Sequence, residues 1–363
     1  MEIPQIRVGI TQGDINGVGY EVILKTLSDN RVYENQAVII YGSAKVAAYH
    51  KKTLDIANIN LNTIQSANEA QIGKISILNC TDEEVKVELS QSTAIAGKAS
   101  FQALEKACLD LKEGLLDVLI TAPINKKNIQ SEAFDFPGHT EYLEAVFGDG
   151  KKALMIMSSS TLKIAVATGH IPLSQVSASL DVLGLYSKIK MLNHSLIQDF
   201  GIVKPRIAVL ALNPHAGDDG LIGSEDKEIV SEAVKKAQGQ NIVCFGPIPA
   251  DGFFGSGDFS RYDGILAMYH DQGLIPFKTL SMERGVNFTA GLPIIRTSPA
   301  HGTAYSLAGQ NVASEESFRE AYYQACDIFL NRIAYAEMSR NPLRKQHLAH
   351  SGDANDSKKS DIN

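Results

Sequence analysis

The stretch RIAVLALNPHAGDDG, residues 206–220, shows the pattern that decides the fold. Its first half is an almost unbroken apolar run, which is typical of a strand buried on both faces. Its second half changes to Asn, Pro, His, Gly and Asp, the residues that end strands and form turns. The stretch therefore predicts a buried strand that ends at a polar turn carrying His215.

The same pattern of an apolar run followed by polar residues recurs along the chain. Further runs of this kind are IRVGIT at 6–11, AVIIYG at 37–42, DVLITA at 117–122, LKIAVAT at 162–168 and YDGILAMYH at 262–270. Segments with helical periodicity lie between them, such as residues 97–113, whose apolar side chains fall on one face. This alternation predicts an α/β protein with a largely parallel or mixed sheet.

The length and the loop-rich stretches predict two domains. At 363 residues the chain exceeds the size of one ordinary core. With a candidate boundary at 146–153, we expect a central domain at residues 146–284, inserted between two parts of an outer domain at 1–145 and 285–345. The polar composition of residues 351–363 predicts a disordered tail, because these residues cannot bury enough apolar surface to offset the loss of chain entropy on folding.

Composition and charge exclude several classes of protein. Hydrophobic residues make up 44% and charged residues 21%, close to the average for globular proteins. The formal net charge of −7 argues against broad nucleic-acid binding, and no apolar run approaches the roughly 20 residues of a membrane helix. The N-terminus lacks a secretory signal, and the four cysteines are scattered without a CxxC pair. We therefore expect reduced thiols and a cytoplasmic location, with neither nucleic acid nor a membrane as partner.

Polar motifs follow five of the apolar runs directly. They are TQGD after IRVGI, TAPINK after DVLI, TGH after IAVA, NPHAG after IAVLAL and YHDQG after GILAM. Ligands of open α/β sheets bind beyond the carboxyl ends of the strands. We therefore expect the five motifs to converge on one cleft.

Three of the nine histidines, His170, His215 and His270, share this position at the end of a strand. Zinc and similar ions bind neutral imidazole, and a catalytic site uses about three protein ligands with one position open. A single histidine in such a place is usually a hydrogen-bonded turn residue, but three in matching contexts favour a metal site. Asp271 is a candidate to orient His270 through its second ring nitrogen. His50 lies in a polar stretch and is interpreted as an ordinary residue.

Basic and polar residues elsewhere suggest a pocket for an anion. PGHTEYLE places His139 and Thr140 where a helix is predicted to begin, with Thr140 as its N-cap. The free N–H groups of a helix N-terminus suit phosphate or carboxylate. Lys278, Asn287 and Arg296 follow later in the chain, with Arg296 directly after the apolar run LPII. Because Arg binds carboxylate or phosphate through paired hydrogen bonds, an anion site and a structural salt bridge are both consistent with this position.

Two loops rich in small residues are candidates for close approach to a cofactor. TQGDINGVGYE at 11–21, the first glycine loop, has the spacing GxxxGxG rather than GxGxxG, so it is not a Rossmann fingerprint. SPAHGTAYSLAGQ at 298–310 contains His301, Gly302 and Thr303, where a flat cofactor can reach the backbone. The sequence has no GxxxxGK[ST] motif, which argues against a Walker-type kinase.

Together these segments resemble the 4-hydroxythreonine-4-phosphate dehydrogenase family, whose members act in pyridoxal phosphate synthesis. The similarity covers roughly residues 5–335 and includes TAPINK, PGHTE, TGHIPL, NPHAGDDGLIGSED, GILAMYHDQG and VNFTAGLPIIRTSPAHGTA. The resemblance implies the two-domain fold of isocitrate and isopropylmalate dehydrogenases, with mixed central sheets and no Rossmann fold. It also implies a homodimer to which the central domain contributes.

The resemblance implies roles for individual residues. The implied ligands of one divalent metal ion (zinc, cobalt or magnesium), one of them from the partner subunit, are His170, His215 and His270. The residues implied to bind the phosphorylated substrate are His139, Thr140, Lys278, Asn287 and Arg296. The residues implied to bind the adenosine part of NAD or NADP are His301, Gly302 and Thr303.

The implied reaction is the oxidation of 4-phosphohydroxy-L-threonine to a 3-oxo acid, which decarboxylates to 3-amino-2-oxopropyl phosphate. The general base is left open among Lys126, Asp251 and Asp271. The chain departs from the family where GDPAGIGPE reads GDINGVGYE and where TTH reads TGH. We expect these changes to alter loop stiffness, because proline restricts the backbone and glycine loosens it.

Three other functions stay open. A paralogous dehydrogenase for threonate or erythronate 4-phosphate would keep the histidines and the phosphate pocket. A phosphate acyltransferase of the same superfamily architecture would need neither metal nor NAD. A non-catalytic metal-binding protein gives no reason for the group of Lys278, Asn287 and Arg296.

Overall fold

A computed structural model of the chain describes residues 4–81 and 85–340. In this part of the chain, twelve strands form one sheet. The strands are β1 (Ile6–Thr11), β2 (Gln36–Gly42), β3 (Leu61–Ile64), β4 (Lys74–Asn79), β5 (Val118–Thr121), β6 (Leu154–Ser158), β7 (Lys163–Val166), β8 (Ile207–Leu210), β9 (Cys244–Ile248), β10 (Gly264–Ala267), β11 (Val286–Ala290) and β12 (Arg296–Pro299). The α-helices are α1 (Gly19–Leu27), α2 (Ala44–Thr53), α3 (Ala94–Lys112), α4 (His139–Phe147), α5 (Val182–Gln198), α6 (Ser231–Gln238), α7 (Ala250–Gly255), α8 (His270–Ser281) and α9 (Glu316–Ser339).

The apolar runs quoted from the sequence all contain strands. The run at 206–213 becomes β8, whose four residues are all buried, and the run at 262–270 becomes β10, which is buried in the same way. The helical pattern at 97–113 becomes α3, which begins three residues earlier and is capped by Thr93, whose hydroxyl accepts from the amide of Ala96. The predicted α/β class with a mixed sheet is confirmed.

The sheet has two halves whose strands run in opposite directions. Its strand order is β3-β4-β2-β1-β5-β12-β11-β6-β7-β10-β8-β9. The first half, β3 to β12 in this order, is parallel throughout, and so is the second half, β7 to β9. Between them, β11 is antiparallel to both of its neighbours, and β6 is antiparallel to β7. The carboxyl ends of the two halves therefore point to opposite edges of the sheet.

The hydrophobic core is continuous across this change of direction. Its largest cluster contains Val8 of β1, Ile156 of β6, Val209 of β8 and Phe288 of β11, all fully buried. The predicted division into an outer and a central domain stays a prediction. Its last residues and the tail at 351–363 lie outside the described residues.

Two expectations about the class of protein can be compared with the structure. Cys80, Cys108, Cys244 and Cys326 are unpaired in the structure, and the reduced state stays a prediction. None of the helices in the described part of the chain combines the length and the apolarity that crossing a membrane requires.

Candidate active site

A cavity of about 270 Å³ lies over the centre of the sheet. The predicted site residues that line it are His139, Thr140, His170, His270, Lys278, Asn287, Arg296, His301 and Gly302. They come from the start of α4, from β11, β12 and α8, and from the loops after β7 and β12. All five residues implied to bind substrate are therefore brought together in one chain.

Arg296, the first residue of β12, is the buried cation of this cavity. Only 2% of the surface of this residue is exposed. The guanidinium donates to the hydroxyl of Thr121 through Nε and Nη2, at 3.0 and 2.7 Å, and to the hydroxyl of Thr289 at 3.2 Å. Burial lowers the pKa of Arg296 to about 10, although the negative charge of Glu141 opposes this shift. No carboxylate of the described residues forms an ion pair with Arg296, so the structure favours an anion site over a structural salt bridge.

Besides Nε2 of His301, described below, two polar atoms in the cavity wall have no hydrogen-bond partner among the described residues. They are Nε2 of His139 and Oδ1 of Asn287, and both are buried. Burial, together with the positive charges of Arg296 and Lys126, holds the pKa of His139 well below its usual value, so its imidazole is neutral at neutral pH. Because buried polar groups in folded proteins are nearly always bonded, these two atoms indicate the position of a ligand.

The helix that carries His139 has its N-cap two residues earlier than predicted. Gly138 is the N-cap of α4, and no side chain caps this end. The prediction of Thr140 as N-cap is wrong, because the carbonyl of Gly138 already accepts the first helical hydrogen bond, from the amide of Tyr142 at 3.3 Å. Thr140 lies in the first helical turn and lines the cavity. The free amides of this turn therefore still face the anion site.

His170 and His270 meet at one end of the cavity. They follow β7 and β10, which are neighbours in the sheet, and their ring centroids are 5.5 Å apart. Nδ1 of His270 lies 2.7 Å from a carboxylate oxygen of Asp271, and Nδ1 of His170 lies 3.6 Å from one of Glu141. With Nδ1 of His270 bonded to Asp271, Nε2 of that ring is available to a metal ion.

His215 is exposed and does not line the cavity with the other two. It begins a run of five residues in the left-handed region, from His215 (φ 52°) to Asp219 (φ 54°). Left-handed residues other than glycine cost roughly 1–2 kcal/mol each, so this turn needs outside support. Asp226 supplies it, since its buried carboxylate accepts from the amides of Leu212 and Asn213 at 2.7 and 2.9 Å. Among the described residues, no three His, Cys, Asp or Glu side chains form a metal-binding group, and the three-histidine site stays a prediction.

The loop of residues 300–305, here called the His301 loop, packs on the first glycine loop. His301 and Gly302 line the cavity, whereas Thr303 does not. The carbonyl of Thr303 accepts from the amide of Val18 at 3.0 Å. A Cβ at Gly17 would lie 2.6 Å from that carbonyl oxygen, so glycine is required for the contact. Nε2 of His301 is buried and has no partner among the described residues.

The first glycine loop is held by side chains where the family pattern has prolines. The hydroxyl of Tyr20 donates to the side-chain oxygen of Gln12 at 2.8 Å, and its ring stacks on His50 with centroids 5.1 Å apart. His50 is buried, and its Nε2 lies 2.8 Å from the carbonyl oxygen of Ile15. The side-chain oxygen of Asn16 accepts from the amide of Glu88 at 2.8 Å. These contacts keep the loop in place without the restriction of proline.

The expectation that five strand-end motifs converge on one cleft is correct only in part. TAPINK, TGH and YHDQG contribute to the lining of the cavity, whereas none of the described lining residues comes from TQGD or NPHAG. The physical reason is the strand order, because β1 lies outside β5 and β8 lies outside β10 in the sheet, so the motifs after β1 and β8 are farther from the strands that form the cavity wall. The cavity instead lies over the face of the sheet, with Met155 and Met157 of β6 in its wall. Sequence reasoning missed these two methionines, and it also missed Glu141, although this residue lies within the quoted motif PGHTEYLE.

The sequence that forms this cavity matches the model of a known family. The family model described as "Pyridoxal phosphate biosynthetic protein PdxA" matches residues 34–325. The chain belongs to the PdxA family. A 4-hydroxythreonine-4-phosphate dehydrogenase of Bacteroides thetaiotaomicron is 56% identical over 347 residues, covering 96% of this chain and 95% of that one. The D-threonate 4-phosphate dehydrogenase of Cupriavidus necator is 36% identical over 332 residues, covering 90% and 98%.

A solved structure supports the same assignment. The 4-hydroxythreonine-4-phosphate dehydrogenase of Klebsiella pneumoniae superposes with a TM-score of 0.77 at 32% identity, covering 91% of this chain and 99% of that one. The architecture described above is therefore that of a PdxA-family protein. The relatives' names are those of dehydrogenases, and the resemblance found in the sequence is confirmed.

Proposed function

We propose that the chain oxidises 4-phosphohydroxy-L-threonine with NAD or NADP and a divalent metal ion, in pyridoxine and pyridoxal phosphate synthesis. We also propose that the 3-oxo acid formed loses carbon dioxide to give 3-amino-2-oxopropyl phosphate. The observation that carries the proposal is the buried guanidinium of Arg296, whose acceptors in the described structure are the hydroxyls of Thr121 and Thr289. A substrate phosphate supplies the negative charge that this cation lacks. The dehydrogenase names of the relatives supply the reaction class.

We assign the substrate phosphate to Arg296, Lys278 and the N-terminus of α4 at Thr140, all of which line the cavity. His139 and Asn287 then bind the polar groups of the rest of the substrate through their unpaired buried atoms. A neutral imidazole has one donor and one acceptor, so His139 orients a hydroxyl without adding charge beside Arg296. Because Arg296 and the unpaired atoms of His139 and Asn287 are buried, these contacts are stronger than they would be at the surface.

His170 and His270 fit a divalent metal ion, because two imidazoles 5.5 Å apart present nitrogen donors and a carboxylate lies behind His270. We propose that His215 of a second subunit supplies the third ligand. When bound, such an ion acts as a Lewis acid that stabilises negative charge developing on a substrate oxygen. Three imidazoles do not select among zinc, cobalt and magnesium by themselves, so geometry and supply decide the metal.

The His301 loop fits a nicotinamide cofactor, because Nε2 of His301 is buried without a partner and Gly302 has open space above its backbone. We propose that His301, Gly302 and Thr303 hold the cofactor. When bound, it supplies the hydride acceptor of the reaction. The general base stays open among three candidates. Lys126 lines the cavity, whereas Asp251 and Asp271 line a separate cavity of about 540 Å³ beside α8.

Exposed apolar side chains next to each metal histidine support a shared site in a homodimer. Leu173 is 72% exposed and follows His170, Leu221 is 82% exposed and follows His215, and Ile275 is 63% exposed and follows His270. Exposed apolar residues grouped around a polar site are typical of an interface. The predicted cytoplasmic location stays a prediction.

The proposal is tested by formation of NADH or NADPH with the phosphorylated hydroxythreonine substrate, with and without a chelator. A mixture of the separately inactive variants His170→Ala and His215→Ala is the sharper experiment. If the site is shared between subunits, mixed dimers contain one intact site and regain up to about half of the wild-type activity per dimer. Activity that is insensitive to chelation, or unchanged turnover in His215→Ala, contradicts the metal assignment.

The second candidate substrate is D-threonate 4-phosphate. It is favoured by the D-threonate 4-phosphate dehydrogenase of Cupriavidus necator, which is 36% identical. Both substrates carry a phosphate that can pair with Arg296, so the charge of the cavity does not discriminate between them. Steady-state kinetics with each substrate decides, and activity on the sugar acid alone rules out the first proposal.

A further inference from the structure

Asp14 of the first glycine loop is a buried carboxylate that joins three segments of the chain. It is completely buried. One of its oxygens accepts from the hydroxyl of Tyr305 at 2.7 Å and from the side-chain amide of Asn128 at 2.8 Å. The other accepts from the backbone amide of Asn16 at 2.9 Å. No ion pair of Asp14 with a described cation accompanies these bonds, so its charge is balanced by hydrogen-bond donors alone.

Tyr305 is the residue through which the end of the His301 loop reaches this carboxylate. Its hydroxyl also accepts from the side-chain amide of Asn125 at 3.0 Å, and its carbonyl accepts from the hydroxyl of Ser90 at 2.7 Å. Burial and the neighbouring Asp14 raise the pKa of Tyr305 to about 12, so the hydroxyl stays protonated and donates. Tyr305 is thus bonded to the first glycine loop and to the loop that begins with TAPINK.

Ala304, between Thr303 and Tyr305, is in the left-handed conformation with φ 43° and ψ 51°. A residue with a Cβ keeps this conformation only where its surroundings fix it. Here both neighbours of Ala304 are bound to the first glycine loop, Thr303 through the amide of Val18 and Tyr305 through Asp14. The strained bend at Ala304 sets the direction in which the backbone leaves His301 and Gly302.

We propose that Tyr305 is a positioning residue for the nicotinamide cofactor, because its bond to Asp14 holds the His301 loop in the conformation that faces the cavity. The inference rests on the proposed function only in assigning the cofactor to His301, Gly302 and Thr303. Without the hydroxyl of Tyr305, Ala304 relaxes from the left-handed region and the His301 loop moves away from the cavity edge. Tyr305 itself is not among the residues that line the cavity.

The test is the substitution Tyr305→Phe, which removes the hydroxyl and keeps the ring. The dissociation constants of NADH and NADPH are measured by fluorescence titration, which needs no turnover. We expect the constant of the preferred cofactor to rise about tenfold, as for the loss of one hydrogen bond to a charged acceptor. The KM for the oxidised cofactor rises in parallel, while kcat and the KM for the phosphorylated substrate stay within about twofold of wild type.

Tyr41→Phe is the matched control. The hydroxyl of Tyr41 donates to a buried carboxylate, that of Asp110, at 2.6 Å, but the pair lies away from the cavity. The Tyr41→Phe variant therefore loses the same kind of hydrogen bond, from a tyrosine hydroxyl to a buried carboxylate, without affecting the His301 loop. A rescue variant, Ala304→Gly added to Tyr305→Phe, relieves the strain, because glycine adopts the left-handed region without cost. We expect it to recover part of the lost affinity.

The outcomes separate this proposal from the proposed function. Weaker cofactor binding in Tyr305→Phe but not in Tyr41→Phe, with recovery in the double variant, supports the positioning role. Equal cofactor affinity in wild type and Tyr305→Phe overturns it, and so does an equal loss in Tyr41→Phe, which would indicate general destabilisation. If wild type binds NADH but does not oxidise the substrate, the proposed reaction fails and the positioning role is still tested by titration.

Discussion

The two halves of the sheet place their histidines in different environments. In the first half and the loops at its ends, the imidazoles are enclosed, and burial lowers the pKa of each of them: His50, His139 and His301. In the second half the imidazoles stand at strand ends with much of their surface open: His170, His215 and His270. All five residues implied to bind the phosphorylated substrate line one cavity of a single chain.

The open half does not bring its three histidines together. His170 and His270 are neighbours, but His215 is held apart on a left-handed turn that Asp226 stabilises. Strained backbone conformations are often found at functional sites, because they cost folding free energy. The strained turn that presents His215 is therefore a candidate for a functional role. Under the proposed function, the anion half is preorganised by folding, whereas the metal half is assembled by association. Substitutions in each half can test that contrast.

The largest effect is expected for Arg296→Met, which keeps an unbranched apolar side chain and removes the guanidinium and its charge. Loss of one partner of a buried, hydrogen-bonded charge pair costs about 4 kcal/mol. We therefore expect kcat/KM for the phosphorylated substrate to fall about a thousandfold, with metal affinity unchanged. Steady-state kinetics and a metal titration measure the two effects.

Arg332→Met is the matched control. Arg332 is mostly buried and bonds Asp199 at 2.7 Å, but it does not line the cavity. The Arg332→Met variant should be less stable than wild type, but its KM for the phosphorylated substrate should not change. A fall in kcat/KM in Arg332→Met as large as in Arg296→Met would mean that the cavity is not the anion site.

The next effect is a pH dependence of stability that arises from His50. Burial lowers its pKa from 6.5 to about 4. Above pH 6.5 the imidazole is neutral in both states, so its contribution to stability is fully present there. As the pH falls from 6.5 towards 4, only the unfolded state takes up the proton, and the free energy of unfolding decreases by about 3 kcal/mol in total.

The control for this effect is His50→Gln, studied without metal by urea unfolding at several pH values. Between pH 6.5 and 4 its free energy of unfolding should fall by about 3 kcal/mol less than that of wild type. Parallel curves for the two proteins would show that His50 is not enclosed as described. The first half of the sheet would then not differ from the second in this respect.

A third effect concerns metal affinity in the open half. His215→Ala should weaken metal binding by about a hundredfold or more. Removing a residue that only supports a ligand costs up to about a hundredfold, and loss of a ligand itself should cost at least as much. His194→Ala is the control, because the ring of His194 meets that of Tyr335 edge-on, with centroids 5.9 Å apart, and lies outside the candidate site. The measurement is a titration with Co²⁺ followed by absorbance. Equal affinity in both variants would remove His215 from the metal site.

Sequence reasoning was most successful where the signal is local. The apolar runs that became β8 and β10, and the periodic segment that became α3, follow from burial patterns within a few residues. The placement of Arg296 after LPII was informative for a similar reason, since a cation next to an apolar run is seldom left unpaired.

The direction of the strands was outside the reach of this reasoning. Whether β11 runs against β6 is decided by pairing between segments more than 100 residues apart, such as Asn287 with Met157, and no local pattern records it. The same limit hid Met155 and Met157 as cavity residues, because methionine in a strand is ordinary core material. It also hid the bond between Asp14 and Tyr305, which are 291 residues apart.

The smallest effect distinguishes the two carboxylates behind the metal histidines. Asp271 lies 2.7 Å from Nδ1 of His270, a hydrogen-bond distance, whereas Glu141 lies 3.6 Å from Nδ1 of His170. Asp271→Asn should therefore weaken Co²⁺ binding about tenfold, because the orienting carboxylate also makes the imidazole a better ligand. Glu141→Gln, measured without substrate, should change it less, since a contact of 3.6 Å is too long for a strong hydrogen bond. A larger loss of Co²⁺ affinity in Glu141→Gln than in Asp271→Asn would show that metal binding shortens the contact between His170 and Glu141. Association of two subunits would then change the structure of the open half in addition to completing the metal site.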